Sequence, residues 1–309
     1  MILCCGESLI DMLPRTLETG EAAFLPVSGG AVFNTAIALG RLGERTGFFC
    51  GISSDMFGQM LIASLEQSGV EHSLCQRPAR PTTLAFVTLV NGHAKYAFYD
   101  ENTALRMLTP ADLPSDAALA AVKAAQFGAI SLIGEPCGTA FEALCNRLKD
   151  RAVISLDPNV RPGFVRDEAA YRGRLTRMLR QADIVKVSDE DLSWLAPGKT
   201  FESVAKGWIG DGASVVVLTR GEKGARAITR SGQIEVDAVK ATVVDTVGAG
   251  DTFNAGLLAG LSRAGALDKA ALRTIGGNVL RPALELAAKA AAITVARAGA
   301  NPPFAHEIQ

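Results

Sequence analysis

Short apolar, β-branched runs alternate along the chain with longer segments whose apolar residues recur every three or four positions. The runs 2–5, 47–50, 129–133, 153–156, 184–187 and 215–219 have the length and uniform apolarity of strands buried on both faces. Helical periodicity covers 33–42, 59–68, 139–150, 168–181, 201–209, 252–264 and 281–298. Strand–helix alternation of this kind predicts a three-layer α/β/α sandwich on a mainly parallel central sheet.

Two stretches break the rhythm. TTLAFVTLV (82–90) and AKYAFYD (94–100) flank Asn91-Gly92-His93, the signature of a β-hairpin with Asn-Gly in its turn. EAAFLPVSG (21–29) is extended with no helix before it. These pieces fit either a small projecting sheet, a lid over the carboxyl ends of the strands, or an antiparallel edge of the main sheet. With no repeat, linker or low-complexity segment, the chain reads as one domain, 1–309, with a lid built from 12–29 and 82–104.

The stretch DTVGAGDTFNAG (245–256) is the densest in chemistry. Residues 241–245 read as a strand and Thr252 onward as a helix, so Gly248-Ala249-Gly250 opens a helix N-terminus. Unpaired N–H groups and the helix dipole favour an anion there, and glycine lets successive amides point into one concavity. Thr252 is placed to cap the first turn. Asp251 fits one of two roles: a helix cap, or a carboxylate facing a hydroxyl that attacks a phosphoryl group bound on the amides. A carboxylate of ordinary pKa, ~3.9, accepts that proton only late in the reaction.

Two look-alike motifs fail. The third glycine of a dinucleotide fingerprint begun by Gly248-x-Gly250 would fall at Phe253, and the leading glycine of a P-loop ending Gly198-Lys199-Thr200 at Ser193. The loop Thr219 to Gly224 follows the strand SVVVLT and suits phosphate or ribose contacts, though taken alone it reads better as a tight turn into 227–229. Asn34, one turn into a helix that Gly29 and Gly30 precede, is either a reader of sugar hydroxyls or a buried amide satisfied by backbone. Asp11 lies near a carboxyl strand end, where ligands of open α/β sheets bind, and carboxylates hold vicinal hydroxyls through short charge-assisted bonds.

Composition narrows the partners. With 31 basic and 32 acidic residues, net charge −1, no cationic excess exists to grip a phosphodiester backbone. The N-terminal segment MILCCGESLIDML lacks a basic region before Glu7 and Asp11 interrupt it, so no signal peptide is expected. No run of roughly 18 uncharged apolar residues spans a membrane. Six cysteines without C-x-x-C and three histidines without ligand spacing give no zinc site and suggest a reducing, cytoplasmic setting.

Taken in order, D-T-x-G-A-G-D (245–251), G-G-x-x-x-N (29–34), G-E-x-L-I-D (6–11), D-E-N-T-A (100–104) and D-P-N-x-R (157–161) resemble the ribokinase-like, PfkB-type carbohydrate kinases, and within them the bacterial fructokinase branch. The resemblance implies ATP-dependent phosphorylation of a sugar, D-fructose first and 2-keto-3-deoxygluconate as the alternative. It implies Asp251 as base and the amides of Gly248, Ala249 and Gly250 as anion hole. Asp11, Gly29, Gly30, Asn34, Phe98 and Arg161 would hold the sugar. Lys186, Ser188, Thr219, Gly221 and Gly224 would lie on the nucleotide. Asp191 and Asp245 would serve metal, with Mg2+ on the ATP phosphates and K+ in a loop resembling Gly299-Ala300-Asn301-Pro302-Pro303. Two positions depart from the family: Ser188 replaces the Asn of N-x-x-E, and Pro303 stands where a Ser is common. Leu9 replaces an Asn that ribokinases use on ribose. Apart from the resemblance, an exposed edge of the lid sheet offers pairing with a second copy, a homodimer through the lid. A non-catalytic sugar or nucleotide sensor is the rival class, which the intact Asp251 disfavours.

Overall fold

The computed structural model describes residues 1–90 and 93–308, the side chains of 88–90 and 93–96 excepted. Its strands are β1 (Ile2–Cys5), β2 (Leu9–Thr16), β3 (Ala22–Gly29), β4 (Thr46–Phe49), β5 (Leu84–Val90), β6 (His93–Tyr99), β7 (Ala124–Gly128), β8 (Val153–Asp157), β9 (Ile184–Ser188), β10 (Val215–Thr219), β11 (Ala225–Thr229) and β12 (Gly232–Val236). Its helices are α1 (Ala31–Arg41), α2 (Met56–Gln67), α3 (Cys137–Leu148), α4 (Glu168–Leu179), α5 (Asp189–Leu195), α6 (Phe201–Asp211), α7 (Ala249–Arg263), α8 (Lys269–Arg273) and α9 (Gly277–Val295).

Eight strands form the main sheet in the order β12-β11-β10-β9-β8-β7-β1-β4. The run from β10 to β4 is parallel, while β11 and β12 continue it antiparallel. The apolarity of the parallel strands follows from their setting: β1, β4, β7 and β8 are buried along their whole length, because helices cover both faces. β2, β3, β5 and β6 make a separate four-stranded sheet in the order β3-β2-β5-β6, so the irregular segments are not an edge of the main sheet. The Asn91-Gly92 turn lies outside the described residues. Phe24, Phe86 and Tyr99 stack edge-to-face in a row across the small sheet, and Leu17, Phe24, Leu25 and Tyr99 are exposed.

The structure corrects three local expectations. The strand expected at 129–133 lies at Ala124–Gly128, where Gln126 and Phe127 pair with β1 and β8. The β-branched run after it is a 3-10 turn, entered through Ala129 at φ 56°. Residues 241–245 form no strand: Val243 and Val244 are exposed, and Val244 and Asp245 donate only to the carbonyl of Val295. Thr252 does not cap α7, which begins at Ala249 behind Gly248; its hydroxyl is buried and accepts from Thr294 at 3.0 Å.

Among the described residues all six cysteines are free thiols, and no helix is long and apolar enough to cross a membrane.

Candidate active site

A cleft of about 540 Å³ opens at the carboxyl ends of the main strands, between the starts of α1, α5 and α7 and beneath the small sheet. The topology explains the place. Strands end there in loops free to turn, and three helices begin there with outward N–H groups.

Asp251 is the third residue of α7 and only 7% exposed. It is not a helix cap: its Oδ2 accepts from Asn34 Nδ2 at 2.9 Å, and its Oδ1 faces Asn159 Nδ2 at 3.5 Å. Burial pushes its pKa up to about 7, against the Asn34 hydrogen bond and the Lys186 charge. The expectation of an ordinary acidity is therefore corrected, and the carboxyl is poised near neutrality, where general-base work is most effective. Asn34 is buried, and its amide hydrogen is given to Asp251 rather than to backbone.

Gly248 takes up the left-handed conformation, φ 78°, that starts α7. A Cβ there would lie 2.7 Å from the Cβ of Ala300. Gly248 and Gly250 both line the cleft, and no acceptor meets their N–H groups among the described residues. Ala249 falls out of the expected trio, because its N–H donates to Thr246 O at 3.3 Å. Beneath this loop lies Lys186, 3% exposed on β9, whose Nζ would be 3.2 Å from a Cβ placed on Gly250. Its ammonium pairs with Asp157 Oδ2 at 2.8 Å. Burial opposes the charge, but Asp157, Asp191 and Asp251 outweigh it and raise the pKa.

At the opposite end, Asp11 lines the cleft and burial lifts its pKa to about 6. Gly29 does not line the cleft; a Cβ on it would overlap the Asp11 carboxylate, so its part is to leave Asp11 room. Gly30 caps α1 at φ 111°, with Glu7 against it. Phe98 packs on Phe164 at 4.2 Å between centroids, and both line the cleft with Arg161. Arg161 donates to the carbonyl of Val160 at 3.1 Å.

The remaining assignments divide. Thr219 and Gly221 line the cleft. Gly224 does not: at φ 76°, with Val236 O where a Cβ would stand, it is the turn residue between β10 and β11. Ser188 lines the cleft, but its hydroxyl donates to Asp191 Oδ2 at 2.7 Å. Asp191 spends Oδ2 on Ser188 and Oδ1 on Val160 N at 2.6 Å. Asp245 accepts from Val247 N at 3.0 Å and Gly299 N at 2.9 Å. Each expected metal carboxylate thus ties a loop. Among the described residues no group of three or more His, Cys, Asp or Glu could hold a metal ion. Asp189 and Glu190, at the cleft wall, are the exposed acids nearest in sequence.

Sequence reasoning missed Glu7, Asp157 and Asn159 as individuals, although their motifs were visible. Glu7 is buried and accepts from Ala31 N at 2.8 Å, Val32 N at 3.3 Å and Ser131 N at 3.3 Å. It thereby ties the start of α1 to the turn after β7. Asn159 sits at φ 40° directly after Pro158, and strain of this kind gathers at functional sites.

Comparison with known proteins fits this geometry. The family model described as pfkB family carbohydrate kinase matches residues 1–307. The chain belongs to this family. It is 52% identical over 284 residues to a fructokinase of Rhizobium leguminosarum bv. trifolii, an alignment covering 91% of this chain and 86% of that one. A fructokinase of Xylella fastidiosa solved with bound ATP superposes with TM-score 0.91 at 30% identity, covering 99% and 96% of the two chains. A fructokinase of Vibrio cholerae O395 solved with fructose, ADP and calcium gives TM-score 0.82 at 25% identity, covering 97% and 94%. The pfkB membership explains why the site is built from scattered segments: its elements belong to one fold, not to one motif.

The amide on Asp251 makes a pH prediction. If the carboxylate form is needed, kcat/KM should fall as pH drops through about 7. Asn34 stabilises the charged form, so Asn34→Ala should raise that pKa and move the acidic limb upward by roughly one to two pH units. A pH profile of the two proteins decides it; an unmoved limb removes Asp251 as the titrating group.

Proposed function

We propose that the chain is an ATP-dependent fructokinase, transferring the γ-phosphoryl group to the 6-hydroxyl of D-fructose. The observation that carries this reading is the pairing of a buried carboxylate of near-neutral pKa with the Gly248 and Gly250 amides and the Lys186 ammonium in one cleft. The names of the relatives support fructose as acceptor and ATP as donor.

Phosphoryl transfer passes through a loose transition state, so positioning and charge stabilisation supply most of the acceleration. Asp251, held by Asn34 and Asn159, faces the acceptor hydroxyl and takes its proton as the bond to phosphorus forms. The amides of Gly248 and Gly250 stabilise charge on the transferred group without reorganising. Asp11 accepts from sugar hydroxyls, while Phe98 and Phe164 wall the sugar end. Thr219 and Gly221 lie on the nucleotide side. The small sheet acts as the lid of a single kinase domain, excluding water that would otherwise take the phosphoryl group.

Magnesium would come bound to the ATP phosphates and offset their charge. Asp189 and Glu190, exposed at the cleft wall, would be the acids to hold it, while Asp191 and Asp245 already accept N–H and O–H groups of the protein. The turn at 299–303, which Asp245 ties to the start of α7 through Gly299 N, would be the place to hold potassium, with Pro303 where the family commonly has a Ser. The buried free thiols support a cytoplasmic setting. The exposed row on the small sheet supports a homodimer; sedimentation showing a monomer at every concentration removes it.

2-Keto-3-deoxygluconate remains the second acceptor, favoured by Arg161 at the sugar end. Arg106, which flanks the lid and could also have met that substrate's carboxylate, is paired with Asp100 at 2.5 Å and does not line the cleft. The test is ADP release from MgATP with fructose, 2-keto-3-deoxygluconate, ribose, tagatose and adenosine, with and without potassium. Fructose is expected to lead by at least tenfold in kcat/KM, a difference of about 1.4 kcal/mol in transition-state binding. Turnover of 2-keto-3-deoxygluconate alone overturns the acceptor, and equal rates without potassium overturn the cation site.

A further inference from the structure

We propose that Asp157 is a positioning residue for phosphoryl transfer, holding Lys186 as a charged donor beneath the Gly248–Gly250 loop. The proposal rests on the kinase reading above and concerns how the cleft keeps a cation where the transferred group arrives.

The arrangement is unusual in its burial. Asp157 closes β8 and is 4% exposed; Lys186 lies one strand over on β9 and is 3% exposed. Their contact is a single hydrogen bond, Nζ to Oδ2 at 2.8 Å. Asp157 Oδ1 is buried without a partner, so the carboxylate has no other anchor. An ammonium carries three N–H donors, and one is spent on Asp157. Lys186 lines the cleft, and Gly250 offers no side chain between its Nζ and the loop. A buried ion pair of this kind is poor evidence for stability, because desolvation of both charges offsets their attraction. It makes sense as a device for holding charge where a ligand needs it.

Three carboxylates face Lys186: Asp157 from β8, Asp191 from α5 and Asp251 from α7. They are not equivalent. Asp191 already accepts from Ser188 and Val160, and Asp251 loses its charge as it takes the acceptor proton. Among the described residues, Asp157 is the one of the three bonded directly to Nζ; burial raises its own pKa, and the charges of Lys186 and Arg161 oppose that rise. Without Asp157, burial favours the neutral amine, and the loop loses its cation.

The test compares Asp157→Asn and Asp157→Glu with the parent. ATP affinity is followed by calorimetry from pH 6 to 9, and kcat and the KM for fructose over the same range. In Asp157→Asn, ATP binding should weaken at least tenfold more at pH 9 than at pH 6. Its kcat should fall roughly a hundredfold, the loss typical of one transition-state donor. The alkaline limb of kcat should move to lower pH, with the KM for fructose little changed. Asp157→Glu keeps the charge and moves it, so kcat should fall while the limb stays. An unshifted limb and pH-independent ATP affinity in Asp157→Asn overturn the proposal. Full kcat in Asp157→Glu overturns the positioning role, and that variant decides the matter should Asp157→Asn not fold. The ATP titration uses no sugar. If the parent phosphorylates none of the sugars, the kinase reading fails while the titration still judges Asp157.

Discussion

Replacing Asp251 by Asn is expected to lower kcat by roughly 10²- to 10⁴-fold, the range of a lost general base, while fructose binding measured by calorimetry stays within a few-fold. The amide keeps the size of the carboxyl and removes only its capacity to take a proton. The variant should also be no less stable than the parent above pH 7. Folding raises the Asp251 pKa from an ordinary 3.8 to about 7. The stability tied to its protonated form is therefore complete below 3.8 and lost as pH rises through 7. At pH 8 the parent buries a charge that the variant does not. A melting curve at pH 8 separates chemistry from unfolding, and a variant that turns over fructose at a tenth of the parental rate or better would sink the assignment.

The second large effect is expected at Gly248. Gly248→Ala should lower kcat by roughly 10²- to 10³-fold, as losing one amide aimed at developing charge does. Two causes act together. The left-handed conformation costs a non-glycine residue roughly 1–2 kcal/mol, and the new Cβ would stand 2.7 Å from that of Ala300. The start of α7 must shift, carrying the amides off line. Gly265→Ala is the matched control: at φ 66° it bears similar strain, but no atom lies within 4 Å of its Cβ. It should lose stability alone. Equal kcat losses in the two variants would show that strain, not the anion loop, is responsible.

Much of the site was legible because its chemistry is local. Gly248, Gly250 and Asp251 sit in seven consecutive residues, and a glycine loop entering a helix has few other uses. Asn34 was read as a reader of sugar hydroxyls or an amide satisfied by backbone, and its donation to Asp251 appears only once α1 and α7 come together. Asp191 and Asp245 show where this logic fails. A carboxylate in a motif looks available in sequence, yet both already accept backbone N–H groups from segments distant or adjacent in the chain. Gly224 was read as a ligand contact and is a turn, since the distinction depends on Val236 O across the hairpin. The strand at Ala124–Gly128 was displaced because alanine and glutamine carry no strand signal, and their pairing with β1 and β8 decides the matter.

By itself, the sequence determined the layered α/β plan, the family and the glycine loop that opens α7, because hydrophobic period and glycine spacing are properties of neighbours along the chain. The tertiary structure decided everything that depends on enclosure. It brought Asn34 and Asn159 onto Asp251, lifted that carboxyl toward neutrality by burying it, and set the Lys186–Asp157 pair under the loop. Desolvation and long-range hydrogen bonds exist only once distant segments close around a site, so no reading of the chain one residue after another contains them.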